Sequence, residues 1–155
     1  MKKDIKVFVM DVDGTLTDGK IYMGSQGELF KAFDIKDGYG ICEILPANHI
    51  KAVIITGRTS DVVVNRAREL GIDYIFQNVK DKGEAIIELS KEWKLELEEF
   101  AYIGDDMIDI SAMQHCGLKG CPSDAVNEVK NICDFISTKR GGEGAVRDFI
   151  EWIVE

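Results

Sequence analysis

The sequence predicts an α/β fold, a doubly wound parallel sheet with helices on both faces and a β-hairpin after the first strand. Three observations predict it. Short apolar runs rich in β-branched residues alternate with segments of helical spacing along the chain. Two of those runs, Ile5 to Met10 and Lys51 to Ile55, read as buried strands. The chain has 155 residues, of which 45% are hydrophobic, so one domain can bury a core without disulfides or a structural metal.

The elements follow in order. Ile5 to Met10 is the first strand, ended by two acids and a glycine. Ile21 to Phe33 carries Gly24-Ser25-Gln26-Gly27 at its centre and reads as the hairpin. Gly38 to Leu45 is a short helix stopped near Pro46. Lys51 to Ile55 is the second strand of the sheet, and Ser60 to Leu70 a helix for which Gly71 supplies the stop. Tyr74 to Phe76 is the third strand. Lys82 to Trp93 has helical apolar spacing through Ala85, Ile86, Leu89 and Trp93. Phe100 to Ile103 is the fourth strand, Asp106 to His115 a short helix, and Gly117 to Gly120 a weak strand. Ala125 to Ile132 and Gly144 to Val154 are the last helices. No repeat or low-complexity linker interrupts them, and residues 1–155 read as a single domain.

The net charge of −9 argues against a nucleic-acid surface, which is built from Lys and Arg. A phosphate-bearing ligand would need a local cation to approach so acidic a chain. The four cysteines form no CxxC pair and read as free thiols, which favours a reducing, cytoplasmic compartment. The apolar run after Met1-Lys2-Lys3 is too short for a signal peptide or a membrane span.

The chemistry-bearing residues fall at strand ends. The first strand ends in Asp11-Val12-Asp13-Gly14-Thr15, the second in Thr56-Gly57-Arg58, the fourth in Gly104-Asp105-Asp106 with Asp109 beyond, and Lys82 opens the helix after the third. In an open parallel sheet these segments meet at one edge, where ligands bind. Clustered carboxylates repel. Either a hard cation such as Mg²⁺ sits among them, or each is a solvated helix cap. The second reading suits any one Asp but not the whole set together with Thr56 and Lys82.

Those four segments, in that order and across about residues 7 to 110, resemble the motifs of the haloacid dehalogenase superfamily, whose domain is Rossmann-like. The resemblance implies a phosphatase in which Asp11 is the nucleophile and forms an aspartyl-phosphate. Asp13 would be the acid and base; its presence points to the phosphatase branch, since the dehalogenases lack it. The Asp11 carboxylate, the Asp13 carbonyl and Asp105 would hold Mg²⁺. Thr56 and Lys82 would hold the phosphoryl oxygens, with Asp106 and Asp109 behind them or orienting Lys82. Carboxylate nucleophiles are a known route to phosphoryl-enzymes, and phosphoryl transfer asks mainly for alignment and charge neutralisation.

No cap domain fits between Thr15 and Thr56 or between Thr56 and Lys82. The first motif extended to Gly19, the stretch Phe33-Asp34-Ile35-Lys36-Asp37-Gly38-Tyr39-Gly40 and the tail Lys139-Arg140-Gly141-Gly142-Glu143-Gly144-Ala145-Val146-Arg147 resemble the capless 3-deoxy-D-manno-octulosonate 8-phosphate phosphatases. That resemblance implies a phosphorylated sugar acid as substrate and a homotetramer whose neighbours complete each site, with the hairpin as the assembly element. Arg58, beside Thr56 and Gly57, would pair with the sugar-acid carboxylate. It favours the octulosonate over 2-keto-3-deoxynononate 9-phosphate, for which an acidic residue tends to stand there; a first-turn surface Arg is the plain alternative. Lys139, Arg140 and Arg147 would help bind that carboxylate, or else belong to a flexible connection into the last helix. The chain departs from the family in having Thr15 where Val is common and a short tail after Arg147. A signalling receiver domain is the alternative of another class, but its phospho-accepting Asp follows the third strand, where this chain reads Phe76-Gln77-Asn78.

Overall fold

The first strand, β1 (Val7–Met10), is buried at all four positions, so both its faces need cover. The computed structural model, which describes residues 2–155, supplies that cover. After β1 come the hairpin strands β2 (Tyr22–Gly24) and β3 (Gly27–Phe30), then β4 (Lys51–Ile55), β5 (Tyr74–Phe76), β6 (Phe100–Ile103), β7 (Leu118–Cys121) and β8 (Phe135–Ile136). Apart from the hairpin they form one parallel sheet in the order β5-β4-β1-β6-β7-β8. The chain works outward from β1 on one side, then returns to its other side. The crevice beyond the carboxyl ends of β4, β1 and β6 is therefore the switch point where ligands bind in such sheets.

Alternate side chains serve opposite faces. Phe8, Met10, Ile54 and Ile103 pack with Ile41, Leu45, Phe149 and Ile150. Val7, Val9, Ile55 and Tyr102 pack with Ile86, Leu89, Met113 and Val129. The covering helices are α1 (Ile35–Tyr39), α2 (Leu45–Ala47), α3 (Asp61–Glu69), α4 (Lys82–Trp93), α5 (Ile110–Met113), α6 (Asn127–Lys130) and α7 (Ala145–Val154). Among the described residues no helix is long and apolar enough to cross a membrane.

Strands β4, β5 and β6 and helix α4 have the expected bounds. The hairpin, β1, β7, α3 and α7 shift by one to three residues at an end, and four elements differ more. The helix expected over Gly38 to Leu45 begins at Ile35, because Asp34 caps it by accepting from Lys36 N and Asp37 N. It passes through a π-helical turn, Gly40–Ile44, closed by Leu45 N donating to Gly40 O, and ends at Ala47, one residue past Pro46. The Asp106 to His115 helix splits into a 3₁₀ turn, Met107–Asp109, and α5, because Asp106 and Asp109 cap each other's backbone. The helix over Ala125 to Ile132 shrinks to α6. β8, two residues long, has too little pattern to be read from sequence.

The hairpin forms where expected and leaves Ile21, Met23, Leu29 and Phe30 each more than half exposed. Between Thr15 and Thr56 the described chain holds only this hairpin, α1, its π turn, α2 and β4, and between Thr56 and Lys82 only α3 and β5, so the fold is capless.

Candidate active site

Asp11 extends β1 by one residue, its N–H bonded to Ile103 O at 3.1 Å. The chain then turns at once: Thr15, Leu16 and Thr17 all donate to Val12 O. The turn needs Gly14, whose φ is +88° and whose place leaves no room for a Cβ, which would lie 1.9 Å from Asp105 Oδ2. That contact joins the end of β1 to the end of β6. Thr15, fully buried, adds a long hydrogen bond from its hydroxyl to Asp105 Oδ1 at 3.4 Å.

Lys82 is the first residue of α4, started by the Asp81 cap. Its side chain is buried and donates to Asp11 Oδ1 at 2.7 Å and Asp109 Oδ1 at 2.8 Å. Burial works against its charge, but Asp11 and Asp109 outweigh that and its pKa is raised. Asp109 also accepts from the Tyr102 hydroxyl at 2.7 Å, and from Asp105 N and Asp106 N at 3.0 and 3.2 Å. All its acceptor capacity is thus engaged, and it shares the Lys82 ammonium with Asp11.

Oxygens of Asp11, Asp105 and Asp109 lie within 4.8 Å of one another. Since Asp109 is saturated, Asp11 and Asp105 remain to bind a cation. Burial pushes the Asp11 carboxyl up, helped by repulsion from Asp109 and opposed by Lys82. Burial, then the Asp11 charge, pushes Asp105 up further. Two neighbouring carboxylates, Asp11 buried and Asp105 half-buried, are relieved by a shared proton or a shared cation, and an all-oxygen donor set suits a hard divalent ion. The residues present fit such an ion.

Thr56 is buried at the end of β4, at the same sheet edge as Asp11 through the Met10–Ile54 register. Its hydroxyl accepts from Arg58 N at 3.4 Å. Gly57 and Arg58 are exposed at the rim, and the Arg58 guanidinium is 3.8 Å from Glu28 on the hairpin. Asp13 meets the hairpin too: its Oδ1 accepts from Lys31 Nζ at 2.6 Å. Sequence motifs do not pick out Lys31 and Glu28. The one signal they carry is opposite charge three residues apart, which many surface strands share.

The tail behaves differently from expectation. Gly141 packs so tightly that a Cβ would sit 1.9 Å from Gly14 O, and Gly142 N donates to Thr15 O at 3.1 Å. The segment is a fitted backing to the Asp11 loop rather than a loose connection. Arg140 is mostly exposed beside it, 3.5 Å from Asp124. Arg147 is not brought to the acidic cluster of its own chain. It lies on α7 against Glu151, one turn on, with its guanidinium 4.7 Å from the Tyr39 ring centre. Lys139 pairs with Asp148 at 3.9 Å. Asp106 turns outward to cap Met107 N.

The comparisons with known proteins agree with this geometry. A model of the haloacid dehalogenase-like hydrolases matches residues 60–150. The 3-deoxy-D-manno-octulosonate 8-phosphate phosphatase KdsC of Yersinia pestis is 40% identical over 97% of this chain and 80% of its own length. The enzyme of that name from Escherichia coli K12 is 38% identical over 98% and 80%. The crystal structure of 3-deoxy-D-manno-octulosonate 8-phosphate phosphatase from Moraxella catarrhalis, in complex with magnesium, phosphate and KDO, superposes with a TM-score of 0.94 at 43% identity, over 99% of this chain and 87% of that one. The cobalt-bound enzyme of Haemophilus influenzae does so at 0.92 and 36%, over 97% and 88%. The chain belongs to the haloacid dehalogenase-like hydrolases. Within that class it is a capless phosphatase, a phosphoric monoester hydrolase.

Proposed function

We propose that this phosphatase hydrolyses 3-deoxy-D-manno-octulosonate 8-phosphate to the free sugar acid and phosphate, with Mg²⁺ as cofactor and the whole activity in one domain. The observation that supports it most is the buried Asp11–Lys82–Asp109 chain beside Asp105. Lys82 fixes Asp11 by one oxygen, which aims the carboxylate out of the end of β1 as a nucleophile. Asp11 attacks phosphorus and the ester oxygen leaves with a proton from Asp13. Asp13 then takes a proton from water, which attacks the aspartyl-phosphate and frees Asp11. Lys82 and the Thr56 hydroxyl hold the phosphoryl oxygens during both steps. Held by Asp11, Asp105 and the Asp13 carbonyl, Mg²⁺ would supply charge neutralisation at those oxygens.

Arg58 at the rim supports a substrate that carries a carboxylate away from the phosphate. The exposed apolar residues of the hairpin support assembly into a homotetramer. The free cysteines fit a reducing cytoplasm.

The test is a panel of phosphosugars with Mg²⁺ present. Octulosonate 8-phosphate is expected to be turned over in preference to 2-keto-3-deoxynononate 9-phosphate. Asp11→Asn is expected to lose several orders of magnitude in phosphate release, and chelation to abolish it until Mg²⁺ is restored. Equal use of both sugar acids would overturn the substrate. Turnover surviving Asp11→Asn would overturn the nucleophile, and turnover surviving chelation the cofactor.

A further inference from the structure

Lys31 directly follows β3 in a hairpin whose residues are exposed or half-buried, yet its side chain is only 3% exposed. Buried ammonium groups require partners. Lys31 has two, Asp13 at 2.6 Å and Glu28 at 2.8 Å. Glu28 in turn accepts from the Ser60 hydroxyl at 2.7 Å. Ser60 stands four residues beyond Thr56 and directly before α3. A continuous polar chain therefore runs from the start of α3, through the hairpin, to Asp13 just beyond the end of β1. Among the described residues, Lys31 is the only one that hydrogen-bonds the Asp13 carboxylate.

We propose that Lys31 is a positioning residue for Asp13, locking its side chain through Oδ1 so that the other oxygen is presented to the ester oxygen that leaves. The inference rests on Asp13 being the acid and base. An aspartate side chain has three staggered χ1 positions, and one short ion pair selects among them. Without Lys31, Asp13 and Glu28 would face each other across the vacated space as like charges, and their repulsion would turn Asp13 away. The hairpin thereby acts in the chemistry of its own chain as well as offering an apolar face. Glu28 holds Lys31 from the other side and shares the task.

Leaving-group dependence separates positioning from simple support of the fold. A leaving group that departs unaided, such as nitrophenolate, needs no proton; an alkoxide does. kcat/KM, which reports the step that forms the aspartyl-phosphate, would be measured with Mg²⁺ for monoesters running from nitrophenyl to alkyl phosphates. The proteins are wild type, Asp13→Asn, Lys31→Met, Lys31→Arg and Glu28→Gln, each with its melting temperature. Lys31→Met is expected to lose at least about tenfold more on alkyl than on nitrophenyl esters, in the direction of Asp13→Asn. Lys31→Arg is expected to keep the wild-type slope, and Glu28→Gln to fall between. If Lys31→Met does not fold, Glu28→Gln reads the same slope. A loss equal for all esters, or a slope unchanged while Asp13→Asn steepens, would overturn the role of Lys31. An unsteepened Asp13→Asn would instead overturn the acid role on which it rests.

Discussion

Replacing Asp109 by asparagine removes a charge and half of the acceptor capacity but almost no volume, so it tests the carboxylate without opening a cavity. The Asp109 carboxylate accepts from four donors, the Lys82 ammonium, the Tyr102 hydroxyl and the N–H groups of Asp105 and Asp106. An amide offers one oxygen and, on its other branch, two N–H donors. Whichever way the introduced amide turns, its NH₂ faces two donors and leaves them unsatisfied in a fully buried site. Each such group costs roughly 1–3 kcal/mol, so Asp109→Asn is expected to lose roughly 2–6 kcal/mol of stability. Tyr102→Phe makes the contrast. It removes one donor and leaves the carboxylate with three, at a cost of about 1 kcal/mol. Urea unfolding of the three proteins, read through midpoints and slopes, measures both losses. A loss below about 1 kcal/mol for Asp109→Asn, or a larger loss for Tyr102→Phe, would refute the claim that a saturated carboxylate holds Lys82.

Two further outcomes are expected. Asp37 is buried, accepts from Arg147 N at 2.9 Å through one oxygen and has no partner for the other, and burial raises its pKa to about 6. The folded state then keeps this proton longer than the unfolded one, so stability falls as pH rises from about 4 to about 6, by about 3 kcal/mol in all above that window. Unfolding free energies across that range should fall more steeply in wild type than in Asp37→Asn, and parallel curves would remove the effect. Gly141→Ala should cut kcat/KM by more than about tenfold, because its Cβ meets the Gly14 carbonyl behind Asp11. Gly71→Ala, with positive φ but open space, should cost only about 1 kcal/mol in stability and leave activity intact; equal effects on activity would deny the Gly141 contact its role.

What the sequence disclosed and what it withheld divide along physical lines. Lys51–Ile55 and Lys82–Trp93 were legible because their apolar periods are unbroken and their ends are marked by turn or capping residues. The stop near Pro46 is legible, since the helix ends at Ala47, but its start is not, because the capping Asp34 stands among other polar residues and the π turn has no sequence signal. Asp11, Thr56, Lys82 and Asp105 could be singled out because each stands within two residues of a strand's end or at the head of a helix. Tyr102 was not, since a tyrosine in an apolar run looks like core and only the fold brings its hydroxyl to Asp109. Arg147 illustrates the opposite case. Its type suits an anionic ligand, and the fold sets it beside Glu151 on its own helix, away from the acidic cluster of its own chain.

The charge balance at the site explains why so acidic a chain can act on phosphate. Asp11 and Asp109 flank Lys82, Asp13 and Glu28 flank Lys31, and Asp105 stands beside Asp11. Against them stand Lys82, Lys31 and Arg58. Both lysines are already engaged by two carboxylates each, so neither is a free positive charge that would draw in a dianion. In that state each holds a carboxylate in place, Lys82 that of Asp11 and Lys31 that of Asp13. The deficit is concentrated where Asp105 faces Asp11, the place where burial and repulsion push both carboxyls upward. A divalent cation bound there would cancel that local excess and leave Lys82 electrostatically available to an incoming phosphoryl group. The carboxylates whose mutual repulsion is costly are therefore the ones that, once they share a cation, make the site receptive to phosphate.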